Sequence, residues 1–424
     1  MKKIIFITVM GLSILSCKKT IENAEKSVKP SNKNIANTSA LVGNERLQTA
    51  NPDVKVGVAI SLSDYTNNSL YSDLVKQEYN SITAENAMKF SALQPNENNF
   101  TGLDNTIIEH AAMYNGRKRI HGHALIWYFS NPSWITYVEN NTPQAERYNR
   151  FKGILEAHIS KVVKHYARES IYQDANGKPL MKSWDVVNEA FNDNGTYRGS
   201  GDAVSDKDKD YSVWYRNLQQ GSTDEEKGRH HIELAFRAAR KAANEAGDYD
   251  LKLFYNDYGH EYSKAKTNAI YNLVNYLKTK TEGGKPIIDG VGLQFHMNYT
   301  TKTKDIAENA NGNIEYAIRK MKETGLKVHI SELDVSIAKR EINGSINNDT
   351  TTESERKGAQ YYRYYFVPQA YRSIVPDNQR WGITLWNVGD SDSWLNKVEN
   401  NGFATLYNQS SYTKNILMSV FMMD

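Results

Sequence analysis

The chain has 424 residues, 39% of them hydrophobic and 24% charged, which supplies a large core and excludes global disorder and fibrous architectures. Its 52 Lys+Arg against 49 Asp+Glu leave a net charge of +3, too balanced for the basic surface that phosphate-backbone binding requires, so no nucleic-acid partner is expected. Length alone allows about three domains of roughly 150 residues each, or one large barrel.

In chain order, residues 1–16 (MKKIIFITVMGLSILS) open on Lys2 and Lys3, run through an apolar stretch and end in small or apolar residues before Cys17. The apolar stretch is short of the roughly 20 residues that span a bilayer, so the segment reads as a secretory signal rather than a transmembrane helix. Ile14-Leu15-Ser16-Cys17 resembles the bacterial lipobox, which implies cleavage before Cys17, acylation of its thiol, and an exported lipoprotein. The expected location is a bacterial membrane, the outer membrane facing periplasm or cell surface. Cys17 is the only cysteine, so no intramolecular disulfide can form. From Lys18 to Asn51 the chain is rich in Asn, Lys, Ser and Glu without apolar periodicity, which predicts a flexible tether over 17–51 and a folded domain over 52–424.

Eight short apolar segments then recur: 55–60 (KVGVAI), 81–86 (SITAEN), 119–127 (RIHGHALIW), 182–189 (KSWDVVNE), 252–258 (KLFYNDY), 290–296 (GVGLQFH), 327–334 (KVHISELD) and 382–387 (GITLWN). Each reads as a strand. Between them lie helical spacings, such as Leu155, Ile159, Val162 and Tyr166, or Ile314, Ala317, Ile318 and Met321, and Gly247 and Gly325 stand where helix C-caps are expected. Alternating strands and helices imply parallel pairing, and eight units predict an α/β fold, a (β/α)8 TIM barrel forming one catalytic domain. The alternative, an open doubly wound sheet, lacks the G-x-G-x-x-G fingerprint after its first strand.

Residues able to do chemistry gather at the C-terminal ends of these strands: Glu85 and Asn86, His123 and Trp127, Asn188 and Glu189, Asn256, Gln294 and His296, Glu332, and Trp386. In a barrel all such ends open on one face, where active sites are built. Strands four and seven both end in a carboxylate, and three strands apart they would face each other across the mouth. Glycoside hydrolysis needs such a pair: one carboxylic acid protonates the leaving oxygen while a carboxylate supports or attacks the oxocarbenium-like centre. Asn188 could hydrogen-bond the sugar 2-hydroxyl, and unequal burial would separate the two pKa values.

These residues carry a resemblance. ITAENAMKF at 82–90, HGHALIW at 121–127, WDVVNEA at 184–190, YNDY at 255–258, DGVGLQFH at 289–296, HISELD at 329–334 and GITLWNVGDSDSW at 382–394 stand in the order of glycoside hydrolase family 10, the retaining endo-β-1,4-xylanases. The similarity covers most of 52–395. It implies a xylan or xylo-oligosaccharide substrate, Glu189 as acid/base and Glu332 as nucleophile. It also implies that His296 and Asp334 form a chain orienting Glu332, with Asn188 and Gln294 in support. Glu85, Asn86 and Lys89 would line the glycone side, and His123, Trp127, Asn256 and Tyr258 would surround the sugar being cleaved. Trp386 and Trp394 would form an aromatic wall. The family usually has His and Gln where this chain has Tyr128 and Ser130, Ser at Phe295 and Arg at Leu395, and losing Gln and Arg removes two polar contacts to sugar hydroxyls.

Ser205 to Ser222 reads as an inserted surface loop. His121 and His123 form the H-x-H pattern of metal-dependent barrel hydrolases, but those place the pair after the first strand, so no metal and no cofactor are expected. His230-His231 points apart on a helix and reads as surface. Asp206, Asp208 and Asp210 imitate the start of a calcium loop whose sixth and twelfth positions would be Tyr211 and Asn217 rather than Gly and Glu. Two other functions stay open: a hydrolase of another β-1,4-glycan, and an anchored glycan-binding protein without turnover. A monomer is expected.

Overall fold

A computed structural model describes residues 46–103, 118–199, 212–298, 304–339, 349–399, 402–408, 411–414, 417 and 421. The signal segment, Cys17 and most of the expected tether lie outside these residues, as do Asp206, Asp208 and Asp210. Arg46–Asp424 is one compact unit, so the folded part starts earlier than residue 52. A short helix over Leu47–Ala50 buries Leu47 completely and donates its Leu47 amide to Glu78 Oε2 at 2.8 Å. One leucine among polar neighbours has no periodicity to read, which is why this helix was not visible in the sequence.

Eight parallel strands close on themselves: β1 (Val56–Ile60), β2 (Ser81–Ala84), β3 (Arg119–Gly122), β4 (Met181–Asn188), β5 (Lys252–Asp257), β6 (Gly290–Leu293), β7 (Lys327–Ser336) and β8 (Arg380–Trp386). Each pairs with the next, and β8 returns to β1 with Val56 opposite Ile383 and Val58 opposite Leu385. This is the expected (β/α)8 barrel. All five residues of β1 are buried, as a parallel strand covered on both faces requires.

The larger helices of the outer ring are α1 (Ser69–Glu78), α2 (Gln144–Arg168), α3 (Asp224–Ala246), α4 (Lys264–Lys278), α5 (Lys304–Glu323) and α6 (Glu353–Ile374). In α2 the predicted face Leu155, Ile159, Val162 and Tyr166 is fully buried; in α5 the same holds for Ile314, Ala317, Ile318 and Met321. Each Leu, Ile, Val or Met among them contributes about 1.5–3 kcal/mol on removal from water. Thr223 and Glu226 form a reciprocal capping box at the start of α3, and Gly247 ends it in the left-handed conformation at φ 76°.

Three local expectations are corrected. The third predicted strand does not run to Trp127: β3 stops at Gly122, and Ile126–Trp127 rejoins the sheet beside β4, with Trp127 opposite Asn188. The sixth stops at Leu293; Phe295 adopts φ 55°, and a separate segment, His296–Asn298, pairs with β7 so that His296 lies opposite Asp334. Gln294 and His296 therefore do not share one continuous strand face. Within the expected loop insertion, Ser212 caps a helix over Val213–Leu218 that is mostly buried. Its Trp214 is 1% exposed, stacks on Phe90 at 5.6 Å and donates Nε1 to the Trp127 carbonyl at 3.1 Å, so this stretch is a support beneath the barrel mouth. Among the described residues no helix is long and apolar enough to cross a membrane.

Candidate active site

Glu189 follows the end of β4 and Glu332 lies within β7, and the closed barrel brings both to one mouth, each almost fully buried. Two amides bridge them. Asn188 and Asn256 are cross-strand neighbours, and Asn256 Nδ2 donates to Asn188 Oδ1 at 3.0 Å and to Glu332 Oε1 at 2.6 Å. Asn188 Nδ2 in turn donates to Glu189 Oε1 at 3.1 Å, and Ser331 Oγ fixes the Asn256 amide from behind at 2.6 Å.

The remaining donors divide between the carboxylates. Glu189 accepts from Gln294 Nε2 at 3.0 Å and from Trp127 Nε1 at 3.0 Å. Glu332 Oε2 meets His296 Nε2 at 3.0 Å; His296 Nδ1 meets Asp334 Oδ1 at 2.9 Å, and Trp394 Nε1 donates to the other Asp334 oxygen at 2.9 Å. The break at Phe295 lets Gln294 and His296 serve different carboxylates.

Electrostatics separates the pair. Burial pushes the Glu189 carboxyl above the ordinary glutamate range, and the negative charges of Asp257 and Glu332 push the same way against the Gln294 donor and the Lys266 cation. Burial also works on Glu332, but the imidazoles of His123 and His296 outweigh it and hold that carboxyl below its usual value. His296 is itself raised: burial opposes its charge, while Asp334 and Glu332 stabilise the imidazolium. A carboxyl that holds its proton more tightly than usual therefore faces one that gives it up more readily, the separation an acid and an anion need.

The other sequence-derived residues surround this pair. Glu85 is buried, and the exposed Asn86 accepts from Lys89 Nζ at 2.7 Å. The Lys89 ammonium sits 5.0 Å over the Trp127 ring. His123 Nδ1 lies 3.0 Å from Asp185 Oδ2 and 3.8 Å from Glu332 Oε1. Trp386 is buried with its ring edge-on to His123 and His296, and Trp394 packs edge-on against His296 at 5.2 Å, so both hold imidazoles in place. Tyr258 accepts from Arg198 Nη2 at 3.2 Å. Of the departures from the family pattern, Ser130 is turned towards Ser91 Oγ at 3.0 Å, and Phe295 and Leu395 are buried.

His123, Asp185 and Glu332 offer atoms within 4.8 Å of one another, the spacing of a metal trio. The imidazole offers them one nitrogen, Nδ1, already engaged by Asp185, so an ion there would have to break the contact that orients His123. Sequence reasoning missed Arg198, Asp185, Tyr255, Asp257 and Lys266. Asp257 stands inside the YNDY segment, beside residues chosen for it. Lys266 sits near the start of α4 and gave no sign of being fully buried against Asp257 Oδ1, 2.9 Å away.

The profile of glycosyl hydrolase family 10 matches residues 45–422. The chain belongs to this family. Among curated relatives, endo-1,4-beta-xylanase A of Cellvibrio japonicus (strain Ueda107) is 34% identical over 366 residues, 82% of this chain and 51% of that protein. Endo-1,4-beta-xylanase B of Thermotoga neapolitana is 31% identical over 77% of this chain and 74% of its own. The chain spans about half the length of the first two relatives it matches. Native xylanase 10C from Cellvibrio japonicus superposes with a TM-score of 0.70 at 30% identity, covering 90% of this chain and 72% of that one; a mutant form of it has been solved with xylopentaose.

Proposed function

We propose that this family 10 chain is a retaining endo-1,4-β-xylanase that cleaves internal β-1,4-xylosidic bonds by double displacement. The observation that carries the reading is the pair of buried carboxylates at one barrel mouth with opposite pKa displacements, linked through two amides. Glu332, ionised and held by Asn256 and His296, attacks the anomeric carbon as Glu189 gives its proton to the leaving oxygen. A covalent glycosyl-enzyme forms, and Glu189, now ionised, takes a proton from water as the water displaces Glu332. Asn188 meets the sugar 2-hydroxyl beside the reacting carbon, and His123, Trp127, Asn256 and Tyr258 enclose that sugar. Glu85, Asn86 and Lys89 hold the next sugar on the glycone side. The xylopentaose complex of the Cellvibrio enzyme supports xylan as substrate.

The roles are tested by two variants. Glu332→Ala should remove turnover on every substrate. Glu189→Ala should slow xylo-oligosaccharide cleavage by about 10²–10⁴-fold while still attacking aryl xylosides whose leaving groups need no proton. Equal loss with both variants on both substrates would defeat the assignment.

The Lys2-Lys3 start, the short apolar run and Cys17 support an exported protein anchored through an acylated Cys17. Cys17→Ser should abolish incorporation of labelled palmitate and move the protein from the membrane fraction to the soluble one. Label retained in that variant would refute the anchor.

A further inference from the structure

Glu189 lies in the left-handed region at φ 56°, where a residue with a side chain stays only if its surroundings hold it. Its amide donates to the Asn256 carbonyl at 2.9 Å, and the next amide, Ala190, donates to Tyr255 Oη at 3.0 Å. The third restraint is a single side chain. Arg198 Nε donates to the Glu189 carbonyl at 3.1 Å and Nη2 donates to the Phe191 carbonyl at 3.2 Å, while the Arg198 amide donates to the Ala190 carbonyl at 2.8 Å. One residue thus holds all three carbonyls of the turn that aims Glu189.

Arg198 is 4% exposed, and its guanidinium is fixed in turn. It lies 4.0 Å over the Tyr128 ring and donates to Tyr258 Oη at 3.2 Å. Tyr128 is one of the departures from the family pattern, and in this chain its ring serves as a lid on that cation. A planar fork with several donors can reach two carbonyls and a phenol while stacked, and a lysine ammonium at the end of a flexible stem cannot reproduce that geometry.

The geometry points to Arg198 as a positioning residue for Glu189: by clamping the Glu189 and Phe191 carbonyls it sets the direction of the acid/base carboxyl without touching the scissile bond. This rests on the reading of Glu189 as acid/base. Misplacement of a catalytic group by about 1 Å can lower a rate about 10²-fold, and here the loss is confined to steps that need Glu189 to transfer a proton.

The test compares wild type, Arg198→Met and Arg198→Lys on two substrates, xylohexaose and an aryl β-xylobioside with a dinitrophenolate leaving group, alongside thermal unfolding. In Arg198→Met, kcat/KM on xylohexaose should fall on the order of 10²-fold, with kcat/KM on the aryl substrate close to wild type. Arg198→Lys, which keeps the charge and one donor, should show the same split at smaller size and stands in if the Met variant does not fold. An equal fall on both substrates in a folded variant overturns the role, since that is what general distortion of the site would give. An unchanged xylohexaose rate overturns it as well. Failure of the underlying reading looks different: wild type that leaves both substrates intact overturns the acid/base assignment and the positioning role together.

Discussion

Asp257 influences Glu189 without touching it. Its Oδ1 faces the Lys266 ammonium at 2.9 Å, its Oδ2 accepts from Tyr255 Oη at 2.6 Å, and its negative charge is the largest influence after burial in raising the Glu189 carboxyl. Asp257→Asn removes that charge and leaves the Lys266 cation, so the Glu189 pKa should fall and the alkaline limb of kcat/KM should move to lower pH. An alkaline limb that stays in place would contradict the electrostatic role. The same variant takes from the fully buried Lys266 ammonium its nearer carboxylate and leaves only Asp193 Oδ1 at 3.8 Å, so stability should drop by roughly 3 kcal/mol in denaturant unfolding. His296 acts on the other carboxylate with the opposite sign. His296→Gln removes the imidazolium that holds Glu332 down, so the acid limb should rise to higher pH; an acid limb that stays where it is would show that His296 only orients. At this scale the sequence was most legible where chemistry and strand ends coincide, as at Asn188, Glu189, His296, Glu332 and Asp334. It was silent on Lys266 and Arg198, because a lysine in a helix and an arginine in a loop are ordinary surface residues until tertiary packing buries them.

The strands and helices set how those side chains converge. β3 and β4 approach so closely at Gly122 that a Cβ there would lie 2.2 Å from Trp184 Cε3. Gly122→Ala should destabilise the barrel by about 3 kcal/mol through overpacking, read as a lower denaturant midpoint, and an unchanged midpoint would show that the indole can move aside. All eight strands were visible as apolar segments, and the faces of α2 and α5 were visible from their spacing, since burial on both faces of a parallel strand and on one face of a helix leaves a periodic trace. The interruptions were not. Sequence periodicity continues through 119–127 and through 290–296, whereas the backbone stops at Gly122 and Leu293 and resumes at Ile126 and His296. These are the places where the chain leaves a regular strand to aim His123, Gln294 and His296. The helix over Val213–Leu218 was hidden for a related reason: a polar surround made it resemble a loop, yet its Trp214 holds the Trp127 carbonyl.

Closure of the barrel makes a site from residues that are distant in the chain: Glu189 and Gln294 are 105 positions apart, and Asn256 and Glu332 76, yet each pair is hydrogen-bonded. An open sheet would leave β1 and β8 as edges, and their pairing excludes it. The chain belongs to glycosyl hydrolase family 10, and its barrel mouth carries the carboxylate pair to which the proposed function assigns the chemistry. In the proposed function, one carboxylic acid and one carboxylate at that mouth cleave internal xylosidic bonds with two inversions at the same carbon. The most direct measurement is proton NMR of xylohexaose mixed with the protein, following the anomeric signals and product lengths from the first minutes. Internal products that appear first as the β-anomer are the expected result. Products that appear first as the α-anomer, or release of single terminal sugars alone, would contradict the double displacement or the internal cleavage, and an intact substrate would contradict both.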